Sequence, residues 1–322
     1  MNLQFINIKE FEPERSGNKT DLRLSYETFG QSKGNAPTVV VVHALTGNST
    51  VAGDKGWWNT LFRVGGLFDL DRFHVISFNI PGNTYDGWVL DDYKQFTTRD
   101  IARLFYTGLQ QEGYSQLDFA IGGSLGGAVL WELVAEYPSF VKTFVPVATD
   151  WKTTDWVQAK CFVQDSILNN SSHGLKDARM MAMLFYRTPQ NFTEKFDRSI
   201  NEGKQIPNVS SWLEHHGNRL EERFSKSAYL VMNYLLNSID VAKNSETFEA
   251  RMQNNPTKII QIGIDSDIFF VPQENIKTHE RLLKIGVDSH YYEIKSNAGH
   301  DAFLIEFEQL EGILLKIIKK IQ

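Results

Sequence analysis

Short apolar runs alternate with helical patterns along most of the chain. One run alternates apolar and polar residues, and the others are rich in Val and Ile, which is typical of buried parallel strands. These predicted strands lie at 22–29, 38–43, 73–78, 117–121, 143–148, 258–264 and 290–294. Apolar residues at helical spacing from Leu125 predict a helix that ends at Tyr137, and a closing helix is predicted from Ala302 to Ile321. Strands that alternate with helices predict an α/β fold, with a mostly parallel sheet and helices on both faces.

The segment 150–256 has a different pattern. It is polar, rich in Met and aromatic residues, and helix-like at 177–185 and 221–236. We interpret it as an all-helical insertion that covers the C-terminal edge of the sheet, where ligands bind in open α/β folds. Residues 1–149 and 257–322 then form the core domain.

The composition is that of a globular protein and argues against a nucleic-acid-binding or membrane protein. The 322 residues are 42% hydrophobic and 22% charged, which is typical of a globular protein with a large core. The net charge of −6 argues against nucleic acid or an anionic membrane as the main partner. The single cysteine, Cys161, cannot form an internal disulfide, and no run is long enough to span a membrane. We therefore expect a soluble, cytoplasmic protein without a metal site.

One motif carries candidate chemistry. Gly122-Gly-Ser-Leu-Gly126 matches G-x-S-x-G, and it stands between a predicted strand and a predicted helix. In that position the motif is a nucleophile elbow, a tight turn that lifts the hydroxyl of Ser124 clear of the sheet. A serine hydroxyl needs a base to take its proton, and the base needs a carboxylate to orient it.

The order Ser, acid, His along the chain selects the other two residues of the triad. His300 follows the last predicted strand, and Asp265 and Asp267 both follow the strand before it. Either aspartate fits; Asp267 is favoured because it lies further out on the loop. His215 and His216 are predicted at a solvated helix terminus, and Cys161 as a buried apolar residue.

The loop that starts at His43 also bears on catalysis. His43-Ala-Leu-Thr-Gly47 follows a core strand directly, and in this fold that loop supplies one oxyanion-hole N–H while the residue after the nucleophile supplies the other. We assign these two N–H groups to Leu45 and Leu125. His43 itself is predicted to hold the loop in place and not to act as a second base.

Together these residues resemble the homoserine O-acetyltransferase family of α/β hydrolases. The similar segments run almost from end to end of the chain. They are His43-Ala-Leu-Thr-Gly47, Val51-Ala-Gly53, Gly56-Trp-Trp58, Gly122-Gly-Ser-Leu-Gly-Gly127, Asp265-Ser-Asp-Ile-Phe-Phe-Val-Pro272 and Gly299-His-Asp-Ala-Phe303.

The resemblance implies the substrates and their contacts. Asp267 matches the family's catalytic aspartate, and the segment 177–187 is similar to its substrate helix, in which the residues matching Arg179 and Tyr186 face the active site. Arg179 would bind an α-carboxylate by two hydrogen bonds, and Asp301 would pair with the α-ammonium group. The expected reaction is acetyl transfer from acetyl-CoA, a co-substrate, to the side-chain hydroxyl of L-homoserine through an acyl-Ser124 intermediate, on the route to methionine. No permanently bound cofactor is expected, and the family resemblance suggests a homodimer joined through the insertions.

The sequence departs from the family between 81 and 97. Most members have a longer, Gly-rich loop here, and this chain has only Pro81-Gly-Asn-Thr-Tyr-Asp-Gly87. In the family this loop lies near the acyl and amino-acid pocket. Alternative activities are therefore O-succinylation of homoserine, acylation of serine, and simple carboxylester hydrolysis.

Overall fold

The computed structural model describes residues 3–242 and 247–318. Within these residues, eight strands form one sheet in the order β1-β2-β4-β3-β5-β6-β9-β10. Two very short strands, β7 (Ile200–Asn201) and β8 (Ile206–Pro207), pair separately. The strands of the large sheet are β1 (Gln4–Phe11), β2 (Thr20–Gly30), β3 (Thr38–Val42), β4 (His74–Phe78), β5 (Leu117–Gly123), β6 (Val141–Val147), β9 (Lys258–Ile264) and β10 (Ser289–Ile294).

The sheet is mostly parallel, as the apolar runs predict. Six neighbouring strands pair in parallel, in the order β4-β3-β5-β6-β9-β10. Strand β2 pairs with β4 in antiparallel orientation. The first strand, β1, pairs antiparallel with β2 and was not predicted. It lies at the edge and alternates buried residues such as Ile6 and Ile8 with exposed ones, so its apolar signal is weak.

Two apolar layers cover the sheet. Side chains of β3 alternate between them: Val40 and Val42 belong to one layer, and Val39 and Val41 to the other. The first layer includes α1 (Thr98–Gln111), α2 (Leu125–Glu136) and α9 (Pro272–Lys284). The second layer includes α10 (Phe307–Ile318) and an irregular crossover, residues 43–73, that contributes Trp58, Phe62 and Phe68.

The segment between β6 and β9, predicted as an all-helical insertion, is not entirely helical, because β7 and β8 form a small antiparallel ladder. The predicted helix at 221–236 is also wrong at its start: one helix ends at Glu221, and Ser225 begins the next by accepting a hydrogen bond from the N–H of Ala228 at 3.0 Å. The helices of the insertion are α3 (Asp155–Asn170), α4 (Gly174–Tyr186), α5 (Pro189–Phe196), α6 (Asn208–Glu221), α7 (Lys226–Asn237) and α8 (Phe248–Met252).

The closing helix starts later than the sequence predicts. Gly299 has a φ of 68°, and a 3₁₀ helix over Gly299–Leu304 precedes α10. Helical spacing alone does not distinguish this tight turn from the first turn of an α-helix. The predicted end at Ile321 lies outside the described residues. No helix in the described ranges is both long and apolar enough to cross a membrane.

Candidate active site

Ser124 occupies the turn between β5 and α2. Its backbone has φ 52° and ψ −127°, a conformation that non-glycine residues rarely adopt. The turn is tight enough to exclude side chains on both sides: a Cβ on Gly126 would lie 2.2 Å from the carbonyl oxygen of Val42, and one on Gly122 would lie 2.7 Å from the backbone of Gly126. The local geometry is thus that of a nucleophile elbow.

Three side chains form a hydrogen-bonded chain at this point. His300 Nε2 lies 2.9 Å from Ser124 Oγ, and His300 Nδ1 lies 2.7 Å from Asp267 Oδ2. All three residues are at least 96% buried. Because the carboxylate accepts, Nδ1 carries the ring proton and leaves the lone pair of Nε2 facing the serine hydroxyl.

The two candidate aspartates have different surroundings. The second carboxylate oxygen of Asp267 accepts hydrogen bonds from the N–H groups of Phe269 and Phe270, at 2.7 and 3.0 Å. Asp265 is exposed, and its carboxylate accepts from the N–H of Ser296 at 3.0 Å. The structure thus places Asp267 in contact with His300. Asp265 instead accepts a hydrogen bond from the loop that follows β10.

Aromatic rings surround the imidazole of His300. The ring centroids of Tyr186, Phe269, Phe270 and Phe303 lie between 4.9 and 5.8 Å from that of His300. The imidazole within this shell lines a cavity together with Ser124. Burial raises the pKa of Tyr186 well above its usual value, so its hydroxyl stays protonated.

His43 holds the loop that contains Leu45, as predicted. Its side chain is fully buried, its Nδ1 lies 2.7 Å from the carbonyl oxygen of Ala44, and its Nε2 accepts from the N–H of Ile80 at 3.0 Å. The Nδ1–H therefore donates to Ala44, and the ring is neutral. Burial lowers the pKa of His43 to about 4.

The burial of the His43 side chain predicts that the folded protein loses stability at acidic pH. His43 is neutral when folded down to a pKa of about 4, whereas its ordinary pKa is 6.5, so its contribution is present above pH 6.5 and is lost as the pH falls through 4. We expect up to about 3 kcal/mol of unfolding free energy to disappear over this range. Urea unfolding across it should show a shallower pH slope in His43→Gln than in the wild type. An equal slope in both proteins would contradict the assignment.

A cavity of about 360 Å³ opens above Ser124. Its lining comes from the 43–58 region, the elbow, the insertion and the His300 loop. The lining residues are Ala44, Leu45, Thr46, Gly47, Asn48, Lys55, Trp57, Ser124, Arg179, Tyr186, Arg223, His300, Asp301, Phe303 and Leu304.

The predicted substrate residues all line this cavity. Arg179 is half-buried on α4, and its guanidinium lies 5.5 Å from the ring centroid of Tyr186. Asp301 has a partner that the sequence did not indicate: its Oδ2 lies 3.1 Å from Arg187 Nε. That N–H is not aligned for a hydrogen bond, so the carboxylate keeps acceptor capacity toward the cavity.

The two predicted oxyanion-hole residues flank the elbow. Leu45 lines the cavity, and Leu125 is the first residue of α2, so its N–H has no acceptor within the helix. The N–H of Gly47 donates to the carbonyl oxygen of Ala44 at 2.9 Å. This hydrogen bond closes a four-residue turn in which Leu45 and Thr46 are the two central residues.

The short loop after β4 braces its neighbours. Asn83 Nδ2 lies 3.2 Å from His43 Nε2, and the hydroxyl of Tyr85 lies 2.8 Å from that of Thr50. No residue between 81 and 97, all of which the structure describes, is among the lining residues of the cavity. The loop therefore contacts His43 and Thr50, which are close in sequence to lining residues, and does not itself line the cavity.

Sequence reasoning missed several cavity residues. Lys55 and Arg223 line the cavity, and Arg187 pairs with the lining residue Asp301, but none of the three was assigned a role from the sequence, because only the tertiary fold brings them toward Ser124. Trp57 also lines the cavity, although the sequence marked it only as part of a family-like segment. The predicted position of His215 and His216 is wrong, since both lie inside α6, where the ring of His216 packs against Trp212 at 4.2 Å.

The prediction for Cys161 is confirmed. Cys161 is buried, as expected, and burial raises the pKa of its thiol. Over residues 3–242 and 247–318, no group of three His, Cys, Asp or Glu side chains is arranged to hold a metal ion.

The fold and the site together define an α/β hydrolase, and comparisons agree. The sequence profile of the alpha/beta hydrolase fold matches residues 37–307. The chain is 30% identical to a homoserine O-acetyltransferase of Chloroherpeton thalassium, covering 99% of this chain and 89% of the relative. One from Trichormus variabilis is also 30% identical, over 95% of this chain and 90% of the relative. The chain therefore belongs to the homoserine O-acetyltransferase family.

Solved structures show the same architecture. A homoserine O-acetyltransferase from Staphylococcus aureus superposes with a TM-score of 0.83 at 26% identity, covering 98% of this chain and 95% of that one. Esterase E22 superposes with a TM-score of 0.86 at 17% identity, over 98% of this chain and 99% of that one. At that identity the second match is evidence for the fold alone.

Proposed function

We propose that this protein transfers an acetyl group from acetyl-CoA to the side-chain hydroxyl of L-homoserine. One observation carries the proposal: the hydrogen-bonded Ser124, His300 and Asp267 open into a cavity that also contains Arg179, a cation suited to an amino-acid carboxylate. The names of the relatives support the choice of acceptor and acyl group.

The first step forms an acyl-enzyme. His300 Nε2 takes the proton of Ser124 as Oγ attacks the thioester carbonyl, and the N–H groups of Leu45 and Leu125 stabilise the oxyanion. When the tetrahedral intermediate collapses, the C–S bond breaks, and the imidazolium returns the proton to the departing thiolate. The acetyl group remains on Ser124.

The second step transfers the acetyl group to the acceptor. His300 takes the proton of the homoserine hydroxyl as that oxygen attacks the acyl-enzyme, and it returns the proton to Ser124 as the ester leaves. Asp267 holds the ring in one orientation and stabilises the imidazolium in both steps. The insertion and the aromatic shell limit the access of water, which would otherwise hydrolyse the intermediate.

Charge around the cavity favours an amino-acid acceptor. Arg179 would bind the α-carboxylate, with Tyr186 stacked beside it, and Asp301 would accept from the α-ammonium group. The ion pair with Arg187 Nε at 3.1 Å holds the Asp301 carboxylate in place. The product is an activated ester on the route to methionine; a cytoplasmic homodimer joined through the insertions completes the proposal.

A matrix of initial rates tests the proposal. Purified protein is given acetyl-CoA or succinyl-CoA with homoserine, serine or no acceptor, and thiol release is followed. We expect rapid release only with acetyl-CoA and homoserine together, because the acyl-enzyme needs an acceptor to turn over. Faster thiol release with serine or succinyl-CoA would identify a different acceptor or acyl donor. The proposed roles of Ser124, His300 and Asp267 would be unchanged.

The variant Arg179→Met separates a transferase from an esterase. It should raise the KM for homoserine by roughly 10- to 100-fold, the loss of one charge-assisted pair, and leave p-nitrophenyl acetate hydrolysis close to wild type. A full rate of thiol release with water alone would identify a hydrolase.

A further inference from the structure

Three side chains of the insertion donate hydrogen bonds to backbone carbonyls of the core. Trp156 Nε1 donates to Ile268 at 2.6 Å, Thr188 Oγ1 donates to Asn297 at 2.6 Å, and Arg223 donates to Thr46 at 2.7 Å. The donors come from separate parts of the insertion: the first turn of α3, the start of α5, and the segment after α6.

Each accepting carbonyl belongs to a loop that carries one group of the proposed machinery. Ile268 follows Asp267 directly, and Asn297 stands three residues before His300. Thr46 follows Leu45, and the two residues are the centre of the turn that the N–H of Gly47 closes. The three acceptors thus sit beside the acid, the base and an oxyanion-hole donor.

We propose that the insertion positions the catalytic loops, and that Trp156, Thr188 and Arg223 are its positioning residues. The inference rests on the proposed acyl transfer through Ser124. A hydrogen bond to a carbonyl limits rotation of the neighbouring peptide units, and a misplacement of about 1 Å in a reacting group can cost roughly 100-fold in rate. The insertion is then part of the site's framework as well as its cover.

The loop that contains Leu45 is held from two sides, by the core and by the insertion. From the core side, His43 fixes the start of the loop through Ala44 and Ile80. From the insertion side, Arg223 holds the carbonyl of Thr46. Arg223 also lines the cavity, so a competing role is direct binding of the acceptor's carboxylate. Its hydrogen bond to the loop favours the positioning role.

Trp156 provides the cleanest variant. Its indole ring packs against Phe185 at 5.1 Å between centroids, and its N–H is the group that reaches Ile268. Trp156→Phe removes the donor and keeps an aromatic ring. Thr188 is less suitable, because its hydroxyl also accepts from the N–H of Asn191 at 3.0 Å and begins α5.

The test is the acylation of Ser124 by p-nitrophenyl acetate without any acceptor, measured as the burst of p-nitrophenol in stopped flow. Trp156→Phe and Arg223→Met should each slow the burst by roughly 5- to 20-fold, as expected for a modest misplacement. The KM for homoserine should stay within about 2-fold of wild type, and Arg223→Lys, which keeps a donor, should recover most of the burst rate.

Matched controls use the same chemistry elsewhere in the insertion. Trp212 packs against Phe192 and Phe196, and Arg219 pairs with Glu222 at 2.8 Å. Trp212→Phe and Arg219→Met should therefore leave the burst unchanged, and thermal unfolding of every variant verifies that it is folded.

Two outcomes would overturn the inference. A wild-type burst in Trp156→Phe would show that the contact with Ile268 positions nothing. A wild-type burst in Arg223→Met together with a raised KM for homoserine would assign Arg223 to acceptor binding. A burst that persists in Ser124→Ala would contradict the proposed acyl-enzyme, and therefore the proposed function, and not the positioning role alone.

Discussion

Ser124→Ala should lose acyl transfer by at least about 10⁴-fold and should form no acyl-enzyme. The reason is chemical: alanine has no atom that can bond to the acyl carbon, and the base at 2.9 Å has no hydroxyl to activate. Thiol release from acetyl-CoA with homoserine measures the loss. Mass spectrometry of the quenched protein measures the missing acetyl adduct of about 42 Da.

The folded state of this variant should be close to wild type, or more stable. A Cβ is already present at position 124, so alanine meets the same steric demands in the strained turn, and only a hydroxyl is removed. Ser172→Ala, a change at an exposed position, is the matched control and should keep full activity. Substantial transfer by Ser124→Ala would mean that the acceptor attacks the thioester directly and that no acyl-enzyme is needed.

Asp267→Asn should reduce kcat by about 10⁴-fold without unfolding the protein. The asparagine Oδ1 can still accept from the N–H groups of Phe269 and Phe270, so the loop is retained. Its NH₂ group would then face His300 Nδ1 and favour the tautomer in which Nε2 carries the proton. That tautomer cannot accept the proton of Ser124.

The matched control is Asp265→Asn, the same substitution two residues earlier. Asp265 is exposed and accepts only from the loop at Ser296 among the hydrogen bonds described, so its loss should change kcat by less than about 2-fold. Initial rates of thiol release compare the two variants directly. Equal losses in both would shift the role of the acid away from Asp267.

Much of the site could be predicted from local pattern. The elbow is a local feature because the constraint is steric: β5, the turn at Ser124 and the two glycines that permit it are contiguous in the chain. The order of the acid and the base along the chain then pointed to His300. Asp267 was favoured over Asp265 from the sequence alone, and the coordinates supply the physical difference: Asp267 contacts His300, whereas Asp265 contacts the backbone of Ser296.

The boundaries that failed share a cause. The break before Ser225 and the 3₁₀ turn at Gly299 depend on single capping and φ-angle events within otherwise helical patterns. The edge strand β1 was missed because only one of its faces packs on the core. In each case the local preference is small, so apolar periodicity alone does not reveal the boundary.

By itself, the sequence determined the class of fold and selected Ser124 and His300 as the candidate nucleophile and base, because apolar periodicity and a glycine-flanked serine reflect constraints that neighbouring residues impose. Only the tertiary structure decided which distant residues line the cavity or pair with its lining residues. Arg187 pairs with Asp301 across 114 positions of sequence, and Arg223 reaches Thr46 across 177. Such contacts leave no periodic trace, since they arise when the insertion packs over the loops of the sheet.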